Sequence, residues 1–277
     1  MTLITRISHA LQYRMDRFFA EPKNRQSEKK YAADPKLWLD RFDASVVRGT
    51  NWFADHLDLT MSALLVLDQA NRQTGDARFA FVNDRISRYR DTYYDPGLRT
   101  VDRDYIADNH RHLPDIVDSR PYQVIELMMI DAANSDQGGA EGVLRYLSAL
   151  PDNGGYGSTH MIVGGLLMKR AGVTLDGRVD ALIEQEINAV AAANHAQSYA
   201  GDLFAERIFV LEWVGRHDLV SPAWAMRLCA AQQPDGGWFG RNIPPIGQSN
   251  QHTTSLAMAA LAQFSAAERG SRGISDQ

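Results

Sequence analysis

Two stretches of this sequence follow the same order of residue types, and an internal repeat constrains a fold more than any single motif does. Pro151-Asp152-Asn153-Gly154-Gly155-Tyr156-Gly157 leads into Ser158-Thr159 and then Met161, Val163, Gly164, Gly165 and Leu166. Pro234-Asp235-Gly236-Gly237-Trp238-Phe239-Gly240 leads, after a longer insert, into Thr253-Thr254 and then Leu256, Met258, Ala259, Ala260 and Leu261. Each copy is a turn, an aromatic residue, a hydroxyl pair and a helix with small residues at matched places. Glycine permits the tight turn, the aromatic ring can pack between helices, and the hydroxyls can cap the orphan amides of the helix that follows. Small side chains on that helix let a neighbour approach closely.

The rest of the chain fits such a helical array. Helix-like segments are predicted over residues 35–56, 57–73, 77–94, 119–133, 139–150, 159–171, 178–195, 201–215, 222–232 and 253–264, and none shows the two-residue alternation that strands require. Between them stand helix stop and start signals: Thr74-Gly75-Asp76, Asp118-Ser119, Asp176-Gly177 and Ser221-Pro222. Leu3, Ile7, Leu11, Met15 and Phe18 form one helical stripe near the N-terminus, with Arg6, Arg14 and Arg17 elsewhere on the surface. That amphipathic helix can cap a helical domain or lie on a membrane surface, and the first role is the expectation. Residues 21–34 turn polar and charged, as in a linker. Residues 1–34 are therefore taken as N-terminal helix and linker, 35–265 as one all-α domain, and 266–277 as a disordered tail.

Charge and cysteine usage exclude several classes of function. A net charge of -5 supplies no basic stripe to neutralise phosphates, so nucleic acid is not an expected partner. Cys229 is the single cysteine, which excludes an intramolecular disulfide and a thiolate metal cluster. A reducing, cytoplasmic location is the expectation, with a small molecule as the partner.

The stretch Gln233-Pro234-Asp235-Gly236-Gly237-Trp238 resembles the Q-x-x-D-G-G-W element repeated in squalene-type cyclases and protein prenyltransferases. His252-Thr253-Thr254-Ser255-Leu256 with Leu261 resembles the start of the inner helix that follows this element. The resemblance covers residues 223–264, with a weaker copy over 150–166. It implies an α/α toroid of about five to six helical hairpins, inner helices starting at the mouth of a central cavity, and an isoprenoid-like substrate. The aspartate-rich acid motif of the cyclases has its nearest string in Asp102-Arg103-Asp104-Tyr105, which lacks the last carboxylate. The zinc set of the prenyltransferases, an Asp, a Cys and a His, finds its histidine in His252. Cys229 lies in another helix, and Asp202 with Glu206 is the nearest substitute.

Asp202 and Glu206 are spaced i, i+4, which puts both carboxylates on one helix face. Together with His252 they can bind a divalent metal such as zinc or act as acid and base; otherwise Asp202 caps its helix and Glu206 sits on the surface. His160 opens the helix after the first turn and is a further catalytic candidate. Tyr156, Tyr199 and Trp238 are candidate substrate-binding aromatics, with packing as the alternative and the preferred role for Trp238. His110 and His112 lie between Tyr94 and Ser119, a long connection suited to a lid. The Asn109-His110 pair also suits a carbohydrate lyase or hydrolase built on a toroid, and a noncatalytic ligand-binding or scaffold protein is the third reading. Cys229, between Leu228 and Ala230, reads as an apolar filler.

Overall fold

The computed structural model describes residues 3–56, 59–89, 95–102, 104–105, 121–151, 153–240 and 247–274. Among them the chain forms eleven α-helices joined by turns and short 3-10 segments, and no strand. Of the expected signals, Thr74-Gly75 and Ser221-Pro222 act as written, Asp118-Ser119 lies outside the described residues, and the helix expected from residue 57 starts only at Met61, after Thr60. Asp34 accepts a hydrogen bond from the Leu37 amide ahead of Pro35, Thr60 caps α3 (Met61–Thr74), and Ser221 caps α10 (Pro222–Ala230) with Pro222 in its first turn. Gly75 closes α3 in the left-handed region at a φ of 63°. No helix among the described residues is long and apolar enough to cross a membrane.

The helices sort into two compact units, Met1–Leu57 with Ala191–Gln277, and Asp58–Val190. In the first, α11 (Gln251–Arg272) is the central element, buried from Thr253 to Ser265 and packed against α9 (Asp202–Trp213), α2 (Pro35–Ala54) and α10. Close approach depends on small residues. Ala257, Ala259, Ala260 and Ala262 line α11, and on α2 a Cβ at Gly49 would stand 2.6 Å from Met258. Leu39, Phe42, Val46 and Phe53 give α2 the apolar stripe that meets this surface.

In the second unit, α7 (Tyr156–Arg170) packs against α5 (Pro121–Ala133) and α6 (Ala140–Ser148). Gly164 and Gly165 make room there, since added methyls would meet Leu147 at 2.6 Å and Ile183, on α8 (Arg178–Ala196), at 2.8 Å. Arg99 pairs bidentately with Asp136, and Arg170 donates to the Thr100 and Val101 carbonyls, fixing the 3-10 segment Asp95–Thr100 to its neighbours.

Both ends of the chain depart from the expected organisation. Residues 21–33 continue α1 (Leu3–Ala33) where a linker was expected. Within that charged stretch Asn24 and Tyr31 are buried; Asn24 bonds the His195 carbonyl and Arg227, and Tyr31 packs on Phe42 and Phe264. Two buried residues hold this stretch, most of whose other side chains are exposed, a pattern too sparse to stand out in composition. At the other end α11 runs to Arg272 in place of a tail, with Arg269 paired to Asp43 and Arg272 to Glu268.

Candidate functional site

The extended backbone of Gly201 delivers the chain into α9, and Asp202 is the first residue of that helix. Gly201 holds the cap position, and Asp202 Oδ1 accepts a hydrogen bond at 2.9 Å from the hydroxyl of Thr253, on α11. One turn later stands Glu206. It is buried, as Asp202 is, at 4% and 3% exposure, so the surface alternative does not describe Glu206. α11 begins after Asn250, whose side chain accepts from the Thr253 amide, and His252 is its second residue.

These two helix starts converge. Nε2 of His252 lies 3.7 Å from Oδ1 of Asp202. Asp202, Glu206 and His252 each offer a ligand atom, and the three atoms lie within 4.8 Å of one another. Zinc–ligand bonds of about 2.0–2.2 Å place neighbouring ligand atoms somewhat closer than this, a contraction that side-chain rotation can supply. Nδ1 of His252, which is not the nitrogen paired with Asp202, is buried without a hydrogen-bond partner among the described residues. Two carboxylates and an imidazole are a donor set suited to zinc or a similar divalent cation, so the residues fit such an ion.

Under α9 lies a polar layer that periodicity does not reveal. Arg207 donates to the Gln197 side chain at 2.5 Å, and Arg227 reaches the Gln197 carbonyl and Asn24 while lying over the Phe204 ring. Burial pulls the Arg227 guanidinium down to about 10.

The remaining candidates fall elsewhere. His160 and Tyr156 belong to the second unit, where Nδ1–H of His160 donates to the Tyr156 carbonyl at 2.6 Å. Trp238 is core: it is 2% exposed and its indole N–H donates to the Leu228 carbonyl at 2.8 Å, which is packing and not substrate contact. Tyr199 is half-buried in the loop before α9, its carbonyl accepting from Gln197. Cys229 is only partly buried and its Sγ lies 3.1 Å from the Ser45 hydroxyl, so it is more than an apolar filler. His110 and His112 lie outside the described residues. Thr253, which holds Asp202, was missed as a site residue; its place beside His252 was the available signal.

The turns show how hydroxyls are used. In the first copy the Gly154 amide donates to Ser158 Oγ at 2.8 Å; in the second the Trp238 amide donates to Thr254 Oγ1 at 3.0 Å. The hydroxyls thus tie each helix back to its own turn, whereas Gly155 and Asn250 hold the cap positions. Asp235 locks the second turn, accepting from the Gly237 amide, the Ser249 hydroxyl and the Trp52 indole.

Comparison of the chain with protein-family models, characterised proteins and solved structures finds no match.

Proposed function

We propose that this chain is an enzyme of α/α-toroid type, in which Asp202, Glu206 and His252 perform acid/base or metal-assisted chemistry on an isoprenoid-like or other hydrophobic substrate. The observation that carries the reading is the placing of two nearly inaccessible carboxylates and an imidazole within 4.8 Å. Carboxylates that close and that dry repel when both are ionised, and a shared cation or proton removes the repulsion. The toroid rests on the repeated turn and on helix direction. α9 and α11 meet at their starts through Asp202 and Thr253 and near their ends through Glu212, His217 and Glu268, so they run parallel with α10 between them in sequence. Parallel inner helices separated by an outer one are what a ring of hairpins requires. The substrate class rests on the resemblance of the repeat alone.

In this reading Thr253 is the positioning residue, since its O–H fixes the Asp202 carboxylate. His252, 3.7 Å from that carboxylate, would exchange a proton with substrate or with Asp202 once the contact tightens. A divalent cation held by the three side chains would supply Lewis-acid polarisation of a substrate oxygen.

The test is stoichiometric zinc or manganese binding by calorimetry together with elemental analysis, on the parent and on Asp202→Ala, Glu206→Ala and His252→Ala. The expected outcome is one ion per chain for the parent and at least a tenfold loss of affinity for each variant, with melting temperatures near or above the parent's. Absence of metal binding leaves acid/base work, to be read as loss of turnover on prenyl diphosphates. Retention of both metal binding and turnover in all three variants rejects the proposal.

A further inference from the structure

At the far end of α9 a second polar cluster joins three segments. Glu212, in the last turn of α9, is 5% exposed, and its Oε1 lies 2.9 Å from Nδ1 of His217, in the 3-10 turn His217–Leu219. At the opposite edge of the ring, Nε2 lies 3.2 Å from Oε1 of Glu268, on α11. The other oxygen of Glu268 accepts from the Tyr31 hydroxyl of α1 at 2.7 Å and from Nε of Arg272 at 2.6 Å. The Phe264 ring, centred 5.2 Å from the imidazole, closes the apolar side. On the turn itself, Asp218 is paired with Arg216.

An imidazolium has an N–H donor at each edge, whereas a neutral imidazole has one donor and one lone pair. Carboxylates at both edges are satisfied together only by the charged ring; once the proton leaves, a lone pair faces an anionic oxygen. We propose that His217 is a pH-sensitive clamp, which when protonated ties the ends of α9 and α11 together and, through Glu268, holds the end of α1, and which loosens all three on deprotonation.

The electrostatics point the same way. The hydrogen bond that His217 donates to Glu212 raises its pKa above the usual 6.5, burial opposes this, and Glu268 adds to the rise. Burial pushes Glu212 up as well, against the pull of His217. Glu268 stays below the ordinary carboxylate value: burial works against this, and Arg272, Tyr31 and His217 outweigh it. A group whose pKa is raised on folding stabilises fully below its unfolded value and stops doing so as pH rises through the folded value. The clamp is therefore fully closed below about pH 6.5 and opens as the pH rises through the raised pKa of the folded state. It stands apart from the chemistry assigned to Asp202, Glu206 and His252, although it holds the same two helices.

The experiment is an NMR titration of the His217 imidazole in the full chain, assigned by loss of its signals in His217→Gln, alongside melting curves from pH 6 to pH 9. The expected midpoint lies above 6.5 and moves down in Glu212→Gln. Parent protein should lose roughly 2–4 °C more than His217→Gln across that range. A midpoint at or below 6.5, or equal pH dependence in parent and variant, overturns the clamp. Should His217→Gln not fold, the shift of one imidazole midpoint between parent and Glu212→Gln decides the question.

Discussion

In the first copy of the repeat the residue before the hydroxyl pair is Gly157; in the second it is His252. A Cβ at Gly157 would collide with the Pro151 carbonyl, because α7 starts directly from the turn and its first coil presses on the preceding backbone. The second copy inserts chain before its helix: Phe239 bridges to Ser249, Asn250 takes the cap, and α11 begins clear of the turn. The insertion gives position 252 room for a side chain. It also changes the use of the hydroxyls, since Thr254 serves the turn and Thr253 is released to hold Asp202, whereas Ser158 is spent on Gly154. One copy is a structural turn; the other, whose helix starts later, presents the side chains on which the proposed chemistry rests.

That contrast is sharpened first by the aromatics. Trp238→Ala should cost about 3–5 kcal/mol in urea unfolding, as expected for a large core side chain. Tyr156, half-buried, should cost well under half of that when truncated. Equal losses would mean that the two turns depend on their aromatics alike.

The next effect is steric. Gly157→Ala should destabilise by about 1–3 kcal/mol through overpacking, while His252→Ala at the matching position should cost nothing or raise the melting temperature. Gly237→Val belongs with Gly157→Ala. The left-handed residue of that turn is Gly236, at a φ of 95°, so the valine is excluded by Ser249 at 2.6 Å and Trp52 at 3.0 Å and not by backbone strain. A stable Gly157→Ala protein would show that the tight start of α7 can relax.

The smallest effects separate the hydroxyls. Ser158→Ala and Thr254→Val should each lose about 0.5–1.5 kcal/mol with an unchanged dependence on urea, the range of one hydrogen bond. Thr253→Val should lose a similar amount and, unlike Thr254→Val, should also weaken metal binding. If both threonine variants bind metal alike, Thr253 does not position Asp202.

Much of this protein was legible because it is encoded over a few residues. Capping by Ser221, the helix stop at Gly75 and the i, i+4 placement of Asp202 and Glu206 all follow from local sterics and hydrogen bonding. That His252 meets this pair is read from the family resemblance, on the condition that the helix of Asp202 is an inner one, and not from the repeat, which does not include Asp202. Other features resisted reading. The charged residues 21–33 resemble a linker until Asn24 and Tyr31 find their partners, and Glu212, His217 and Glu268 are unremarkable in sequence because no local pattern links them.

The sequence by itself determined an all-helical chain, its punctuation, and the pairing of two carboxylates on one face, since backbone propensity and helical periodicity act within a turn or two. Only the tertiary structure decided that Glu206 is buried, that Thr253 bonds Asp202, and that His217 stands between two carboxylates. Those contacts depend on how closely α11 can approach α9 and α2, and that closeness is set by alanines and glycines on separate helices acting together, where long-range packing outweighs any local preference.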